Sequence, residues 1–347
     1  MMRVSVEKLR SFMVDAAAAL PLDRKSAEIM VDNLIIANLW GIDSHGVGRY
    51  PVYMGRLRKD LVNRTPNIKI TKTLPALITV DGDNGLGSVV TMKALDEILK
   101  LADTFGMASA TIHSSNHMGA LGYYSDYAAK KGYITLVFSV GPPNMPPFGG
   151  MEAYFSTNPL AVGIPSPDED HIIVDMATAV AAKGKIREAA RKGEKIPEGW
   201  AIDKDGNATT DPHAAIDGLV LPMSGHKGSA LALVIEFFAG VLSGSAFGTE
   251  VIMQYGDDPR PANVGHMLIA IKPEGFLTPE DFSSRMKRFC SELRTIQPAK
   301  GFEKVLLPGD KERMTAKTVM EQGIKIDDEL LNQMKEIAAQ SGCEFPV

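Results

Sequence analysis

An α/β protein, with a helical unit drawn from both chain ends around a central sheet, is what three features of the sequence predict. Apolar residues recur at helical spacing from Val4 to about Arg58 and again in the tail from Thr278. Between them, β-branched runs alternate with helical ones, the pattern of an α/β layer. No internal repeat or low-complexity linker interrupts this order. At 347 residues the chain exceeds the roughly 100–200 of an average domain. The pattern divides it into a helical unit, residues 1–75 and 276–347, and an α/β region, residues 76–275.

Taken in order, "VEKLRSFMVDAAAALPL", "AEIMVDNLIIANLW" and "VYMGRLRKDL" read as helices, because their apolar positions return every three or four residues. "PNIKITKTLPALITVDGDNGLG" has β-branched runs broken by Pro and Gly and reads as two strands and a turn. A helix in "VVTMKALDEILKLADTFG", a strand in "MASATIHSS" and a helix in "GALGYYSDYAAKKG" follow. Then come strands in "YITLVFSV", "NPLAVGIPS" and "HIIVDMAT". "GSALALVIEFFAGVLSG" predicts a buried helix and "VGHMLIAIKP" a strand. In the tail, Thr278 is placed to cap a helix, Pro279 suits its first turn, and Asp281 sits at its acid-favouring end.

Composition narrows the function. A net charge of −5 and a pI near 5.9 offer no basic field to nucleic acid or an anionic membrane. The longest apolar run, from Ala230, is broken by Glu236 and is shorter than the roughly 20 residues of a spanning helix. "MMRVSVEKLRSFM" lacks the apolar core of a signal peptide. Cys290 and Cys343 are far apart, without zinc or disulfide spacing, and suit a reducing compartment. A soluble, cytoplasmic protein is expected.

Three stretches carry chemistry. In "DSHGVGRYP", Asp43 or Ser44 is positioned to cap the next helix, which would put His45 and Arg49 on one face. Gly46 and Gly48 would each cost about 1 kcal/mol inside a helix, which makes sense where a ligand or another backbone approaches closely. The same residues also fit a helix–helix turn with a capping Ser and a solvated Arg. In "HSSNHMGALGYY", Ser114 to His117 fall in a strand-to-helix loop, where α/β sheets place ligands. A nearby helix N-terminus favours neutral His117, able to accept a proton or bond a substrate hydroxyl, although a structural His117 fits as well. His113 and His117 are four apart, but a strand-to-loop segment does not present such positions together; no metal is expected. In "LPMSGHKGSALAL", Ser224, Gly225, His226 and Lys227 precede an apolar helix and suit an anion such as a cofactor phosphate. "VLLPGDKER" offers a second Gly turn with Lys311 and Arg313.

"ITVDGDNGLGSVV" imitates a dinucleotide-binding fingerprint but has Val90 where the third glycine belongs, and is rejected as one. P-loop, zincin and α/β-hydrolase signatures are also missing.

Together, "DSHGVGRYP", "HSSNHMGALGYY", "FSTNPLAVGIP", "VDMATAVAAKGKI", "DKDGNATTDP" and "PMSGHKGSALAL", in this order, resemble the type 2 malate/L-lactate dehydrogenase family, the L-sulfolactate-dehydrogenase-like oxidoreductases. The resemblance runs over nearly the whole chain. It implies a mixed sheet flanked by helices, distinct from a standard Rossmann domain, and an NAD- or NADP-dependent homodimer, with NAD preferred, that interconverts small 2-hydroxy and 2-oxo acids. It further implies that His45, oriented by Ser44, and His117 line the active site, either one serving as acid/base. His45 is taken as the proton donor in reduction, His117 as substrate partner or alternative base, and Arg49 as the carboxylate anchor. Asn158 is expected to shape the substrate pocket wall. Asp175, Met176, Ala177, the Ser224, Gly225, His226, Lys227 loop and the Pro308, Gly309, Arg313 turn are expected to hold the cofactor. Met151 departs from the basic residue expected in many relatives. Lys185 departs from the acid expected in some imine-reducing ones, which favours a hydroxy acid over a cyclic imine; reduction of a cyclic imine or a diketo sugar acid is the alternative within the family. A cofactor-binding protein without turnover and a metal-dependent lyase or hydrolase are the alternatives from other classes.

Overall fold

The computed structural model describes residues 2–168, 170–253 and 258–346. The chain opens with β1 (Met2–Val4), α1 (Val6–Ala18), α2 (Arg24–Leu39) and α3 (Tyr50–Arg58). The middle runs β2 (Lys69–Leu74), β3 (Leu77–Asp81), α4 (Gly87–Phe105), β4 (Met107–Ser115), α5 (Gly122–Lys130), β5 (Ile134–Ser139), β6 (Leu160–Ile164) and β7 (Ile172–Met176). It continues through α6 (Lys183–Lys192), β8 (Ala201–Ile202), β9 (Ala208–Thr209), α7 (Pro212–Asp217), β10 (Leu219–Val220), α8 (His226–Glu236) and β11 (Val264–Ile271). The remainder is α9 (Pro279–Arg294), α10 (Asp310–Gln322), β12 (Ile324–Ile326) and α11 (Asp328–Ser341).

The predicted α/β class holds. Seven strands form one mixed sheet in the order β2-β3-β4-β11-β5-β6-β7, in which only β3 and β4 run parallel. That parallel pair needs a crossover, which α4 supplies. Helix α4 ends at Gly106, whose φ of 79° makes the left-handed turn back into β4. Its inner face, Leu95, Ile98 and Ala102, packs with Ala110, Ile112 and Leu268 of the sheet. Thr278 caps α9 as expected, its hydroxyl accepting from the Asp281 N–H.

The chain ends share a second core. Leu9, Met13, Met30 and Leu34 from the first helices join Ile324, Ile326, Met334 and Ile337 from the last segments. β1 lies antiparallel to β12, Met2 opposite Ile326 and Val4 opposite Ile324.

Three features differ from the sequence expectation. A division at residue 75 cuts a hairpin, because β2 pairs with β3 at the edge of the main sheet. A three-stranded sheet, β10-β8-β9, forms with α6 and α7 a small lobe around Ile186, Ile196, Ala215 and Val220. Its strands are two residues long, too short to show a period. Finally, α8 and the π-helical turn Phe237–Val241 that extends it are not wholly buried. Leu233 is 57 % exposed and Val241 49 %, whereas Glu236, which breaks the apolar run, is 4 % exposed.

Candidate active site

Helix α2 organises the first half of the site. Its Asn38 is buried; the side-chain Nδ2 donates to Asp43 Oδ1 at 2.6 Å and Oδ1 accepts from the Val47 N–H at 2.7 Å. This clamp folds "DSHGVGR" into two 3₁₀ turns, Asp43–His45 and Val47–Arg49, where an α-helix from Asp43 was expected. Helix α3 starts only at Tyr50, with Pro51 in its first turn. Gly46 is required by the clamp: a Cβ there would lie 2.1 Å from Asn38 Oδ1. A Cβ at Gly48 would meet nothing within 4 Å. Arg49 and the histidine are thus linked through backbone: Arg49 Nε donates to the Ser44 carbonyl at 2.7 Å, and Ser44 Oγ lies 3.1 Å from His45 Nδ1.

The second half is the loop between β4 and α5, and it too is held by asparagines. Asn33 of α2 exchanges two bonds with the Ala120 backbone, 3.1 and 2.9 Å. Asn116 Nδ2 reaches Asn84 O, Asn84 Oδ1 and Gly85 O at 2.9–3.1 Å. Here the false fingerprint finds its use. A Cβ at Gly87 would stand 2.0 Å from Asn116 O and 2.5 Å from His117 O, so the glycine lets the loop lie directly on the start of α4.

His117 Nδ1 is 2.6 Å from the Tyr53 hydroxyl of α3 and accepts from the Gly119 N–H at 3.3 Å. The Gly119 donor fixes Nδ1 as an acceptor, so neutral His117 carries its proton on Nε2. The ring stacks on His45 with centroids 5.4 Å apart and planes 21° from parallel. His45 keeps some solvent access, yet burial and the Arg49 guanidinium pull it down to about 4. Burial, then His45, Arg49 and His266, hold His117 well below the usual imidazole range. Both are neutral bases at pH 7. Beneath the loop, fully buried His266 of β11 has Nδ1 2.9 Å from Ser139 Oγ and Nε2 3.2 Å from the Asn116 carbonyl, which it supports as a donor. A register shift in β11 between Val264 and His266 accompanies this placement.

The expected cofactor residues are gathered on neighbouring elements. Asp175, near the end of β7, accepts from the Gly122 N–H at the start of α5 at 2.7 Å, and burial raises it to about 6. Met176 and Ala177 follow, and the Met223 N–H donates to the Thr178 carbonyl at 2.9 Å, which seats the Ser224–Lys227 loop beside that strand end. Ser224 and Gly225 have φ of 50° and 62°, and His226 and Lys227 are exposed at the first turn of α8. The Pro308 carbonyl accepts from the Ile173 N–H at 3.1 Å, and Gly309 caps α10 in the left-handed region, with φ 98°. Arg313 is committed within the fold, to Asp310 at 2.6 Å and the His171 carbonyl at 2.8 Å. Asn158 is fully buried, its amide donating to Ala232 O at 2.9 Å and Glu236 Oε2 at 2.6 Å. Among the described residues no three His, Cys, Asp or Glu side chains cluster as a metal site.

Ser44, His45, Arg49 and His117, predicted from two separate motifs, therefore meet. Asn116 lies within the second motif but was given no role, and Tyr53, Asn33, Asn38 and His266 lie outside the motifs; for the asparagines the one signal was their presence on otherwise apolar helices and loops.

Residues 4–335 match the model of the malate/L-lactate dehydrogenase family. The malate/(S)-sulfolactate dehydrogenase of Methanothermus fervidus is 39% identical over 344 residues, 99% of each chain. The ureidoglycolate dehydrogenase (NAD(+)) of Escherichia coli K12 is 34% identical over 329 residues, 95% of this chain and 94% of that one. The solved sulfolactate dehydrogenase of Methanocaldococcus jannaschii superposes with a TM-score of 0.94 at 38% identity, covering 99% of this chain and 98% of that one. The chain belongs to the malate/L-lactate dehydrogenase family.

Proposed function

We propose that this protein is an NAD(P)-dependent oxidoreductase that interconverts a small 2-hydroxy acid and its 2-oxo acid, of the size of malate, lactate or sulfolactate. The observation that carries the reading is the stacked pair of neutral histidines beside Arg49. Such chemistry needs a base at the hydroxyl, a cation for the carboxylate and a fixed geometry between them. Arg49 anchors the carboxylate. His117 presents Nε2–H to the substrate oxygen, since Nδ1 is already an acceptor. His45, whose Nδ1 faces only Ser44 Oγ among its hydrogen-bond partners, takes the proton in oxidation and returns it in reduction. A carboxylate on Arg49 also removes one cause of the low basicity of both rings, so substrate binding raises them toward the range where protons exchange near neutral pH.

A bound nicotinamide supplies or accepts the hydride. The residues fit a dinucleotide: the Ser224–Lys227 turn aims the start of α8 and two basic side chains outward, next to a cavity of about 570 Å³ walled by Phe148, Val180 and Leu221. Asp175, Met176 and Ala177 line the strand end beside it, and the Pro308–Arg313 turn braces β7 from outside. NAD is the preferred form, the one named for the Escherichia coli relative. A homodimer belongs to the same reading; the exposed side of α8 and its π turn, Leu233, Phe237, Val241 and Leu242, supports it. So does the cytoplasm, with Cys290 and Cys343 both free thiols.

The test is oxidation of NADH and NADPH against a panel of 2-oxo acids and one cyclic imine. Turnover on an oxo acid, lost by about 10²–10⁴-fold in His45→Ala and less in His117→Ala, is expected. Dinucleotide binding without turnover on any member would overturn it.

A further inference from the structure

Helix α3 carries Tyr53 and, one turn on, Arg56, and both line one small cavity directly behind His117. Arg56 is 5 % exposed, and among the described residues neither of its terminal nitrogens has a hydrogen-bond partner. Asn116, also 5 % exposed, commits its Nδ2 to Asn84 and Gly85 but leaves Oδ1 buried without one. The two residues share that cavity, whose volume is about 10 Å³, the room of a single water molecule. Nearly all buried polar groups in folded proteins are satisfied, and a buried charge costs more to leave unpaired than a neutral group.

The chemistry of the walls selects the occupant. It must accept from the guanidinium and donate to the Asn116 amide oxygen. A halide accepts but cannot donate, and a cation is repelled by Arg56. A water does both, and with two guanidinium N–H groups and one amide oxygen it has the three partners typical of buried waters. Asp258, the acid whose charge acts on Arg56, is already paired with Arg260 at 2.7 Å.

We propose that Arg56 is a positioning residue, acting through one buried water held between its guanidinium and Asn116 Oδ1, which ties the His117 loop to helix α3. The proposal rests on the reading of His117 as an active-site group. Helix α3 then grips the loop twice: Tyr53 bonds His117 directly, and Arg56 bonds the preceding residue through solvent. The charged and titratable neighbours of His117 are His45, Arg49 and Tyr53 on the helical side and His266 on the sheet side.

The test is a crystal structure of the full chain at a resolution that shows solvent, with Arg56→Met and Arg56→Lys beside it. One solvent peak within hydrogen-bond reach of Arg56 and Asn116 Oδ1 is expected, lost in the Met variant. In kinetics, Arg56→Met should lower kcat about tenfold and change KM for the oxo acid less than about threefold. Arg56→Lys should recover part of kcat. No peak between the two groups, a carboxylate of the chain against Arg56, or wild-type kcat in a folded Met variant would overturn it. If the Met variant does not fold, the wild-type structure still decides the water. A wild-type protein inactive on every oxo acid would remove the catalytic half and the reading it rests on, while the solvent peak is judged separately.

Discussion

Three buried asparagines make a rigid wall of the segments that carry His45 and His117; the start of α8 is a more open wall, where His226 and Lys227 stand exposed and His226 meets the Phe148 ring edge-on. In the function proposed above, the first wall carries the proton-handling groups and is fixed before any ligand arrives, because an error of an ångström there costs orders of magnitude in rate. The basic turn offers its charge and helix terminus to solvent, where a long anionic ligand can approach from several directions. Rigid wall and open wall are two answers to two demands.

The rigid wall should break where glycine admits an asparagine. A Cβ at Gly119 would lie 1.8 Å from Asn33 Oδ1, on a backbone with φ 82°. Gly119→Ala is expected to lower kcat/KM by about 10²-fold or more and to depress the melting temperature by several degrees. Gly48→Ala, where a Cβ meets nothing within 4 Å, should melt like wild type in the same scan. Next in size is Tyr53→Phe. His117 Nδ1 then keeps only its Gly119 contact, and steady-state kinetics should show kcat reduced about tenfold, from the loss of one buried hydrogen bond.

On the open wall, Lys227→Ala should raise KM for the dinucleotide roughly fivefold and make it less sensitive to salt, with the melting temperature unchanged. A fivefold rise that survives high salt would argue that Lys227 acts by contact and not by charge. The smallest effect separates the walls by pH. His45 and His266 fall from 6.5 to about 4 on folding, so the unfolded chain binds more protons between these values, and their contribution to stability, full above 6.5, is lost as pH falls toward 4. Asp175, raised from 3.8 to about 6, works the opposite way over most of that window. Three depressed histidines, His117 included, outnumber two raised carboxyls, Asp175 and Glu236, so the melting temperature should drop by a few degrees from pH 6.5 to 4.5 in wild type, and by less in His266→Asn.

Much of this was legible in the sequence. Helix and strand alternation gave the α/β class, and the Ser44–His45, Arg49 and His117 motifs, distant in the chain, come together in one cleft. The supports were not legible. Asn33 and Asn38 sit inside an apolar helical pattern, where a polar residue ordinarily means a solvated face, and only the fold turns them inward. Arg56 fails the same way. His266 lies in a strand that runs between β4 and β5, a pairing that no local period encodes. The outward apolar face of α8 was hidden by the opposite error, since an apolar helix reads as a core helix until its neighbours are known.

The pairing of β1 with β12 sets a timetable. Synthesis proceeds from the amino end, and the strand at Met2–Val4 waits for Ile324–Ile326 to leave the ribosome before its edge is covered. The main sheet can gather as soon as β11 emerges, but the core beneath His45, which draws Met334 and Ile337 from the last helix, is among the last parts to be sealed. A chain stopped before residue 324 therefore leaves the apolar faces of α1 and α2 without Ile324, Ile326, Met334 and Ile337, their partners in that core.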